Sequence, residues 1–344
     1  MSALSQQVSF YLASRARWTG IEVAFWVLAA ASIVLLPGHH LILTEIAILG
    51  LFALSLDLIL GYAGIVSLGH AAFFGAGAYT AGLLAKFGII RDPVLGLLAA
   101  MAVSTVLGFL TSFLVLRGSD LTRLMVTLGV ALMLKEVANQ AGWLTDGADG
   151  LQGVVINPVL GRFAFDITGH TSYAYCLSVL FVLFLLARRI VHSPFGLSLR
   201  AIKTNPLRAA AVGIPVNRRL IAIYTIAAGY AGAAGALIAQ VQSFVGLEVF
   251  SFDRSADTLL VVILGGPGYL YGGLIGAIIF RLMQDQLAIL TPQYWQFWIG
   301  LVLVLIIIVG RDRMTGWTHA VRDAIAARLQ KMRGAAAGAS AERR

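Results

Sequence analysis

Residues 41–60 read LILTEIAILGLFALSLDLIL, a run in which the only charged side chains are Glu45 and Asp57. The run lacks the alternating polarity of a membrane β-strand, so it predicts a helix long enough to cross a hydrocarbon core of about 30 Å. Similar runs recur along the 344-residue chain, which is 59% hydrophobic and 12% charged. A soluble domain carries about a quarter charged residues. The sequence therefore predicts an all-α integral membrane protein.

Ten apolar runs predict about ten transmembrane helices. They cover residues 21–36, 41–60, 71–90, 94–116, 121–143, 172–187, 220–240, 256–264, 272–290 and 297–309. The first run follows Arg15 and Arg17 and could be mistaken for a signal peptide. Its one A-x-A motif, at residues 29–31, lies in the middle of the run, so we interpret it as an uncleaved span.

The charges of the loops predict the orientation. The loop at residues 188–219 contains seven basic residues and no acid, so we expect it to be cytoplasmic. Counting outward from this loop places both termini in the cytoplasm. We therefore predict a cytoplasmic N-terminal segment (1–20), a transmembrane domain (21–310) and a basic cytoplasmic tail (311–344) that contains an amphipathic helix.

The charge and motif content argues against an enzyme. The net charge of +9 and the pI near 10.0 follow from the cytoplasmic excess of Lys and Arg rather than from nucleic-acid binding. The sequence has no G-x-x-x-x-G-K-[ST] phosphate loop, no H-E-x-x-H and no G-x-S-x-G. The histidines lack metal-ligand spacing, and Cys176 lies in an apolar run as a hydrophobic filler. We predict no catalytic residues, no metal site and no cofactor in this chain.

Two glycine-rich segments, residues 61–69 and 265–273, interrupt the runs at membrane depth. Irregular backbone is tolerated there where protein covers it or where it lines a wet cavity, and in transporters it often marks the path. A tight interhelical turn is the alternative. With the ionisable side chains within the spans, which are costly in lipid, these segments predict a translocation path. Its candidate residues are Asp57, Tyr62, Gly64, Ser67, His70, Glu136, Gly265 and Gly266.

The cytoplasmic loop encodes a short, sharply bounded helix. Asn205 can be its N-cap, Pro206 its first residue and Gly213 the left-handed residue that closes it. A loop that only joins two spans needs no capped basic helix. We therefore interpret residues 192–214 as a docking surface for a cytoplasmic partner, with a helix lying on the membrane surface as the alternative.

Several stretches recur in one known family. They are DLILGYAGIVSLGHAAFFGAGAY at residues 57–79, SPFG at 193–196, NP at 205–206, AVGI at 211–214, LGGPG at 264–268 and LTDGADG at 144–150. Together they resemble the LivM-type permeases of branched-chain amino acid ABC importers. The resemblance implies a type II ABC importer-like fold in a bacterial inner membrane.

The same resemblance implies a set of partners. These are a LivH-like second permease, two cytoplasmic ATPase subunits that hold ATP and Mg, and a periplasmic solute-binding protein. It also implies that the loop between the sixth and seventh spans docks onto the ATPase. The candidate residues for this coupling are Phe195, Gly196, Arg200, Asn205, Pro206, Arg208 and Gly213.

Departures from the family pattern leave the solute open. Ile65, Asp146 and Gly273 stand where the family often has Gln, Gly and Pro, and relatives with similar permeases carry urea, short amides or aromatic acids. We predict a permease subunit for branched-chain amino acids or similar small polar solutes. The alternative is an ATP-independent secondary transporter, although the sequence lacks the several acidic or histidine positions expected of a proton relay.

The outer loops are acidic. Asp146 and Asp149 lie in the predicted outer loop 144–171, and Asp253 lies in the next one. We predict that these three carboxylates form part of a docking surface for basic patches on the binding protein. The alternative is that they are solvated loop residues without a partner.

Overall fold

The computed structural model describes residues 18–309 except residues 119, 160 and 167. This part of the chain is built from α-helices joined by loops and short 3-10 turns. The helices are α1 Gly20–Leu35, α2 His40–Ala63, α3 Ala71–Lys86, α4 Pro93–Val115, α5 Asp120–Gln140, α6 Gly142–Thr145, α7 His170–Val191, α8 Pro194–Thr204, α9 Pro206–Ala211, α10 Val216–Gln242, α11 Phe252–Gly265, α12 Leu270–Leu290 and α13 Trp295–Val309.

Each of the ten predicted runs overlaps at least one of these helices, and the prediction of an all-α membrane protein is confirmed. Among the described residues, five helices are long and apolar enough to cross a bilayer: α2, α4, α7, α10 and α12. Helix α11 has 14 residues and is therefore about 21 Å long, shorter than a hydrocarbon core. The number of ten crossings stays a prediction.

Several predicted span ends differ from the helix bounds by three or four residues: α3 ends at Lys86 rather than at residue 90, for example. Helix α5 ends at Gln140 rather than at residue 143, and Trp143 belongs to the separate short helix α6. The cause is Thr145, whose hydroxyl donates to the backbone carbonyls of Ala138 and Ala141 and folds the chain back over the end of α5.

The chain divides into two units, Met1–Leu282 and Met283–Arg344. The described part of the first unit holds α1 to α11 and the first part of α12, and that of the second holds the end of α12 and α13. The predicted N-terminal segment is described only from residue 18, and the predicted amphipathic tail helix lies outside the described residues. The sites below belong to the first unit.

Helices α2 and α10 form the core of the first unit, and 72% of the most apolar stretch of each is buried. Helix α10 is rich in Gly and Ala, so it can approach its neighbours closely. A Cβ atom at Gly232 would collide with Ser104 of α4, and one at Gly235 would collide with the carbonyl of Phe74 in α3. The side-chain-free face of α10 thus fixes α3 and α4 around it.

Polar side chains set the first residues of several helices. The Asp92 carboxylate accepts from the backbone N–H groups of Val94 and Leu95 at 2.9 and 3.0 Å, directly before Pro93 opens α4. The Ser251 hydroxyl accepts from the N–H of Arg254 at 3.3 Å and begins α11. Such caps satisfy N–H groups that have no partner within the helix.

Candidate functional site

The two glycine-rich segments meet at one buried carboxylate. Asp57 lies in α2 and is fully buried, and its Oδ1 accepts from the backbone N–H of Gly268 at 2.7 Å. A Cβ atom at Gly61 would strike both the Asp57 carboxylate and the Gly268 nitrogen. Gly268 has φ of +87°, a conformation that favours glycine. The absence of side chains at Gly61 and Gly268 therefore permits this contact.

The first glycine-rich segment is irregular and covered by protein. Helix α2 continues through Ala63 and ends at Gly64, which has φ of +75°. The N–H groups of Gly64 and Ile65 donate back to the carbonyls of Leu60 and Ile59, the pattern of a Schellman helix end. Beyond it, the backbone of Gly69 presses against that of Thr127. Protein rather than lipid satisfies this stretch.

The second glycine-rich segment is a tight interhelical turn. Helix α11 ends at Gly265, and α12 begins at Leu270. The N–H of Gly266 donates to the carbonyl of Val262 at 2.9 Å, and Gly265 packs directly against the backbone of Gly272. This segment therefore has the form of the tight interhelical turn, and its place beside a path stays a prediction.

His70 and Ser67, two of the predicted path residues, are fully buried in the first unit. His70 Nε2 lies 2.9 Å from the Ser55 hydroxyl, which itself donates to the carbonyl of Phe52 at 2.6 Å. This arrangement makes Nε2 the protonated nitrogen, because the Ser55 proton is already used. The His70 ring also stacks on Phe52. In this arrangement His70 is a packing residue of the core.

The predicted path residues do not form a single group. Asp57, Tyr62, Gly64, Gly265 and Gly266 gather around the last turns of α2 and the α11–α12 turn. Glu136 does not join them. It is exposed one turn before the end of α5 and accepts from the Gln140 amide at 2.6 Å.

The loop that is predicted to be cytoplasmic folds into two capped helices. Asn205 Oδ1 accepts from the N–H of Arg208 at 2.9 Å, Pro206 is the first residue of α9, and Gly213 has φ of +91°. The capped helix predicted from these residues is confirmed. Helix α8 was not predicted, although Ser193 followed by Pro194 is the same signal. The Ser193 hydroxyl caps α8 by accepting from the N–H of Gly196.

Helix α8 ties the loop to the glycine group. The Lys203 ammonium donates to the carbonyl of Gly61 at 2.7 Å, and the Arg200 guanidinium lies 5.3 Å from the ring centroid of Tyr62. Lysine near a helix C-terminus also interacts favourably with the helix dipole. Lys203 was not among the predicted coupling residues, because its partner lies far away in the sequence.

The other predicted coupling residues divide into anchors and exposed groups. The ring of Phe195 lies 5.2 Å beneath the Arg219 guanidinium, and Gly196 packs against the backbone of Val191. Arg208 is exposed, and so are Leu207 and Val212 on either side of it. Helix α9 thus presents a basic and apolar surface outward.

The three acids predicted to lie in the outer loops differ in their contacts. Asp146 is bound by the Lys86 ammonium at 2.5 Å, which holds the pKa of this carboxyl below its usual value, with a smaller contribution from the N–H of Gln152. Asp149 and Asp253 are exposed. The pair with Lys86 gives Asp146 a role within the loop, whereas the two exposed acids are accessible to another molecule. Their docking role stays a prediction.

Comparisons with known proteins show which family this chain resembles. Residues 40–307 match the family model described as the permease component of branched-chain amino acid transport systems. The chain is 27% identical over 283 residues to the high-affinity branched-chain amino acid transport permease LivM of Escherichia coli, covering 75% of this chain and 65% of that protein. It is 26% identical over 303 residues to the fructose import permease FrcC of Rhizobium meliloti, covering 83% and 81%.

A third relative is named as a LivH permease. The probable branched-chain amino acid permease LivH of Methanocaldococcus jannaschii is 26% identical over 252 residues, covering 69% of this chain and 76% of that protein. The chain spans about two thirds, 65%, of the length of the Escherichia coli relative. No solved structure matches the chain.

Proposed function

The chain belongs to the family of permease components of branched-chain amino acid transport systems, and we propose that it is the LivM-type permease subunit of a bacterial ABC importer. In this proposal it forms, with a LivH-like second permease, the path for branched-chain amino acids or similar small polar solutes. The fold is type II importer-like with about ten crossings and cytoplasmic termini in the inner membrane. Hydrolysis of ATP with Mg takes place on two separate ATPase subunits.

The observation that carries this proposal is the bond between Lys203 and Gly61. A surface that docks a motor must be rigid and must be joined to the part that moves. Caps at both ends make α9 rigid, and α8 connects it to the last turns of α2 beside Gly268. This geometry supports a coupling role for residues 192–214.

The identity of the solute is part of the proposal. The names of the relatives cover branched-chain amino acids, fructose and galactose, which are small polar molecules. A periplasmic binding protein would deliver the solute to the outer loops, where the exposed Asp149 and Asp253 offer charges for docking.

Reconstitution tests the proposal directly. The chain is assembled in proteoliposomes with a LivH-like second permease and two ATPase subunits, and a periplasmic binding protein is supplied on the outside with labelled leucine, urea, acetamide or benzoate. We expect uptake that requires ATP in the lumen and the binding protein outside. The variant Arg208→Glu should assemble but lose solute-stimulated ATP hydrolysis.

The secondary-transporter alternative predicts the opposite result. Uptake by the chain alone, driven by an ion gradient and indifferent to ATP, would replace the importer assignment.

A further inference from the structure

An apolar groove runs between α1 and α7 on the surface of the first unit, with a volume of about 530 Å³. Val27 and Ala30 of α1 line one side of it, and Phe181 of α7 lines the other. Among the described lining residues, Ser178 alone carries a hydroxyl, and this group donates to the carbonyl of Ala174 at 2.7 Å within α7. The groove therefore offers hydrocarbon and aromatic surface to the molecule that fills it.

The groove reaches one surface of the membrane. Helix α7 has 22 residues and is therefore about 33 Å long, slightly longer than a hydrocarbon core of about 30 Å. Arg188 and Arg189 lie in its last turn, so they lie at the level of the lipid headgroups. Helix α1 begins at the same level, because the Glu22 carboxylate in its first turn pairs with the Arg188 guanidinium at 2.9 Å. The groove opens at this level and extends into the hydrocarbon core.

The mouth of the groove combines an aromatic ring with an exposed cation. The Trp18 ring, which lines the groove, lies 4.4 Å from the Arg188 guanidinium, and tryptophan is enriched at this depth in membranes. Glu22 balances the charge of Arg188. Arg189 is exposed and follows Ser178 by eleven residues, about three helical turns, so it lies on the face of α7 that borders the groove. The three charges at the mouth sum to one positive charge, carried by the exposed Arg189.

The groove is too narrow to hold a helix of another polypeptide. Val23 and Ile33, which line it, are ten residues of α1 apart, or about 15 Å along the helix axis. Over this length, a volume of about 530 Å³ gives a mean cross-section of about 35 Å². A helix about 10 Å across has a cross-section of about 80 Å². The space fits a narrower occupant, a single unbranched hydrocarbon chain of the kind that fills the surrounding bilayer.

We propose that the groove binds one acyl chain of an anionic phospholipid, with the lipid phosphate against Arg189 and beside Trp18. Arginine binds phosphate oxygens through charge-assisted, often bidentate hydrogen bonds, and basic pockets between transmembrane helices bind anionic headgroups. A free phosphate ion would use the same cation but would leave the apolar groove unfilled. The inference goes beyond the proposed function, since it requires neither the solute nor the ATPase subunits.

Photolabelling tests where the lipid lies. The full-length chain is placed in phosphatidylcholine vesicles that contain a small fraction of phosphatidylglycerol with a diazirine in its acyl chain, and the adducts are mapped by mass spectrometry. We expect adducts on Val27, Ala30 and Phe181, several-fold more abundant than with a phosphatidylcholine probe that carries the same chain. Adducts on other lipid-facing helices but not in the groove would mean that protein covers it, and would overturn the proposal. Equal labelling by the two probes would also overturn it, because the headgroup would then not be selected.

Two matched variants of α1 test the groove itself. Ala30→Phe places a ring in the groove, whereas Ala24→Phe adds the same ring six residues earlier, about 120° around the helix. We expect Ala30→Phe to lower the labelling of Phe181 by phosphatidylglycerol several-fold and Ala24→Phe to leave it unchanged. Both alanines are exposed, so neither variant should disturb folding. Wild-type labelling in Ala30→Phe contradicts binding in this groove.

Replacement of Arg189 tests the contact with the headgroup. Arg189→Gln should reduce labelling by phosphatidylglycerol to the level of the phosphatidylcholine probe, and Arg189→Lys should keep part of the preference because it keeps the charge. An unchanged preference in Arg189→Gln overturns the assignment of this residue to the phosphate. Inorganic phosphate in excess should leave the labelling unchanged, and loss of labelling would show that the mouth takes a free anion instead of a lipid. None of these measurements needs transport, so their failure leaves the proposed function untouched.

Discussion

Lys203 donates a hydrogen bond to the backbone carbonyl of Gly61 and so joins the loop helix α8 to the last turns of α2. The two residues are 142 positions apart. The bond is a short, direct contact between a loop helix and a spanning helix, and in the proposed importer an ATPase would act on α2 through it.

Replacing Lys203 by methionine removes the donor while keeping the length of the side chain. The bond is partly exposed, so we expect a loss of about 1 kcal/mol or less in the free energy of unfolding. The larger effect should be on coupling, measured as solute molecules imported per ATP hydrolysed. Lys203→Arg keeps the cation and serves as the control. Unchanged coupling in Lys203→Met removes this bond from the mechanism.

Asp57 tests whether the two glycine-rich segments must stay together. Asp57→Leu leaves the Gly268 N–H without its acceptor, and an unsatisfied buried donor costs about 1–3 kcal/mol. Asp57→Asn keeps an oxygen acceptor and should lose less. Thermal unfolding in detergent compares the two variants. Equal stability of Asp57→Leu and Asp57→Asn contradicts a structural role for this hydrogen bond.

Two glycine-to-alanine changes should alter the stability of the protein in opposite directions. A Cβ atom at Gly69 would strike the backbone of Thr127, whereas one at Gly129 in α5 meets no atom within 4 Å. Gly69→Ala should therefore reduce the yield of folded protein, and Gly129→Ala should stabilise the helix by up to about 1 kcal/mol. Fluorescence-detected size exclusion of the two variants measures both effects. A well-folded Gly69→Ala contradicts the tight packing of the first glycine-rich segment.

The Lys86–Asp146 pair predicts a pH dependence of stability. The pKa of Asp146 is lowered in the folded state from its usual value of 3.8. The pair therefore contributes its full stabilisation above that value and loses it as the pH falls through the lowered folded-state pKa. Asp146→Asn should unfold at a lower temperature than the wild type at pH 7. The difference in unfolding temperature between the two proteins should narrow below pH 3.8. If the difference in unfolding temperature does not change with pH, the ionisation of Asp146 is not its cause.

Association of the binding protein should depend more on Asp149 and Asp253 than on Asp146. Asp149→Asn and Asp253→Asn together should slow its association several-fold at low ionic strength and less at high salt, since exposed charges act mainly on the association rate. Asp146→Asn should have a smaller effect, because Lys86 already balances this charge. Stopped-flow measurements give the rates. Association indifferent to both salt and substitution ends the docking role of these acids.

The helices and their caps could be predicted from the sequence because both depend on residues that are close together along the chain. The apolar run at 41–60 and the Asn205, Pro206 and Gly213 signals each act over a few residues, and the structure has them. The ion pair of Glu45 with Arg281 and the bond of Lys203 with Gly61 join distant parts of the chain. No spacing rule reports such contacts, since they depend on how helices pack. The end of α5 at Gln140 was missed for a related reason: the Thr145 hydroxyl, beyond the helix, sets it.

The close contact of α10 with α3 and α4 has a consequence for how the protein tolerates change. At Gly235 no side chain lies between the backbone of α10 and that of α3, so no side chain there can adopt another rotamer to make room. A saturation mutagenesis scan of α10 should therefore show an inverted profile, in which the smallest buried residues accept the fewest replacements. Tyr224, although it is large and fully buried, should accept Phe more readily than Gly235 accepts Ala. In this helix, we expect substitution to be tolerated least at the glycine positions and more readily at those with large side chains.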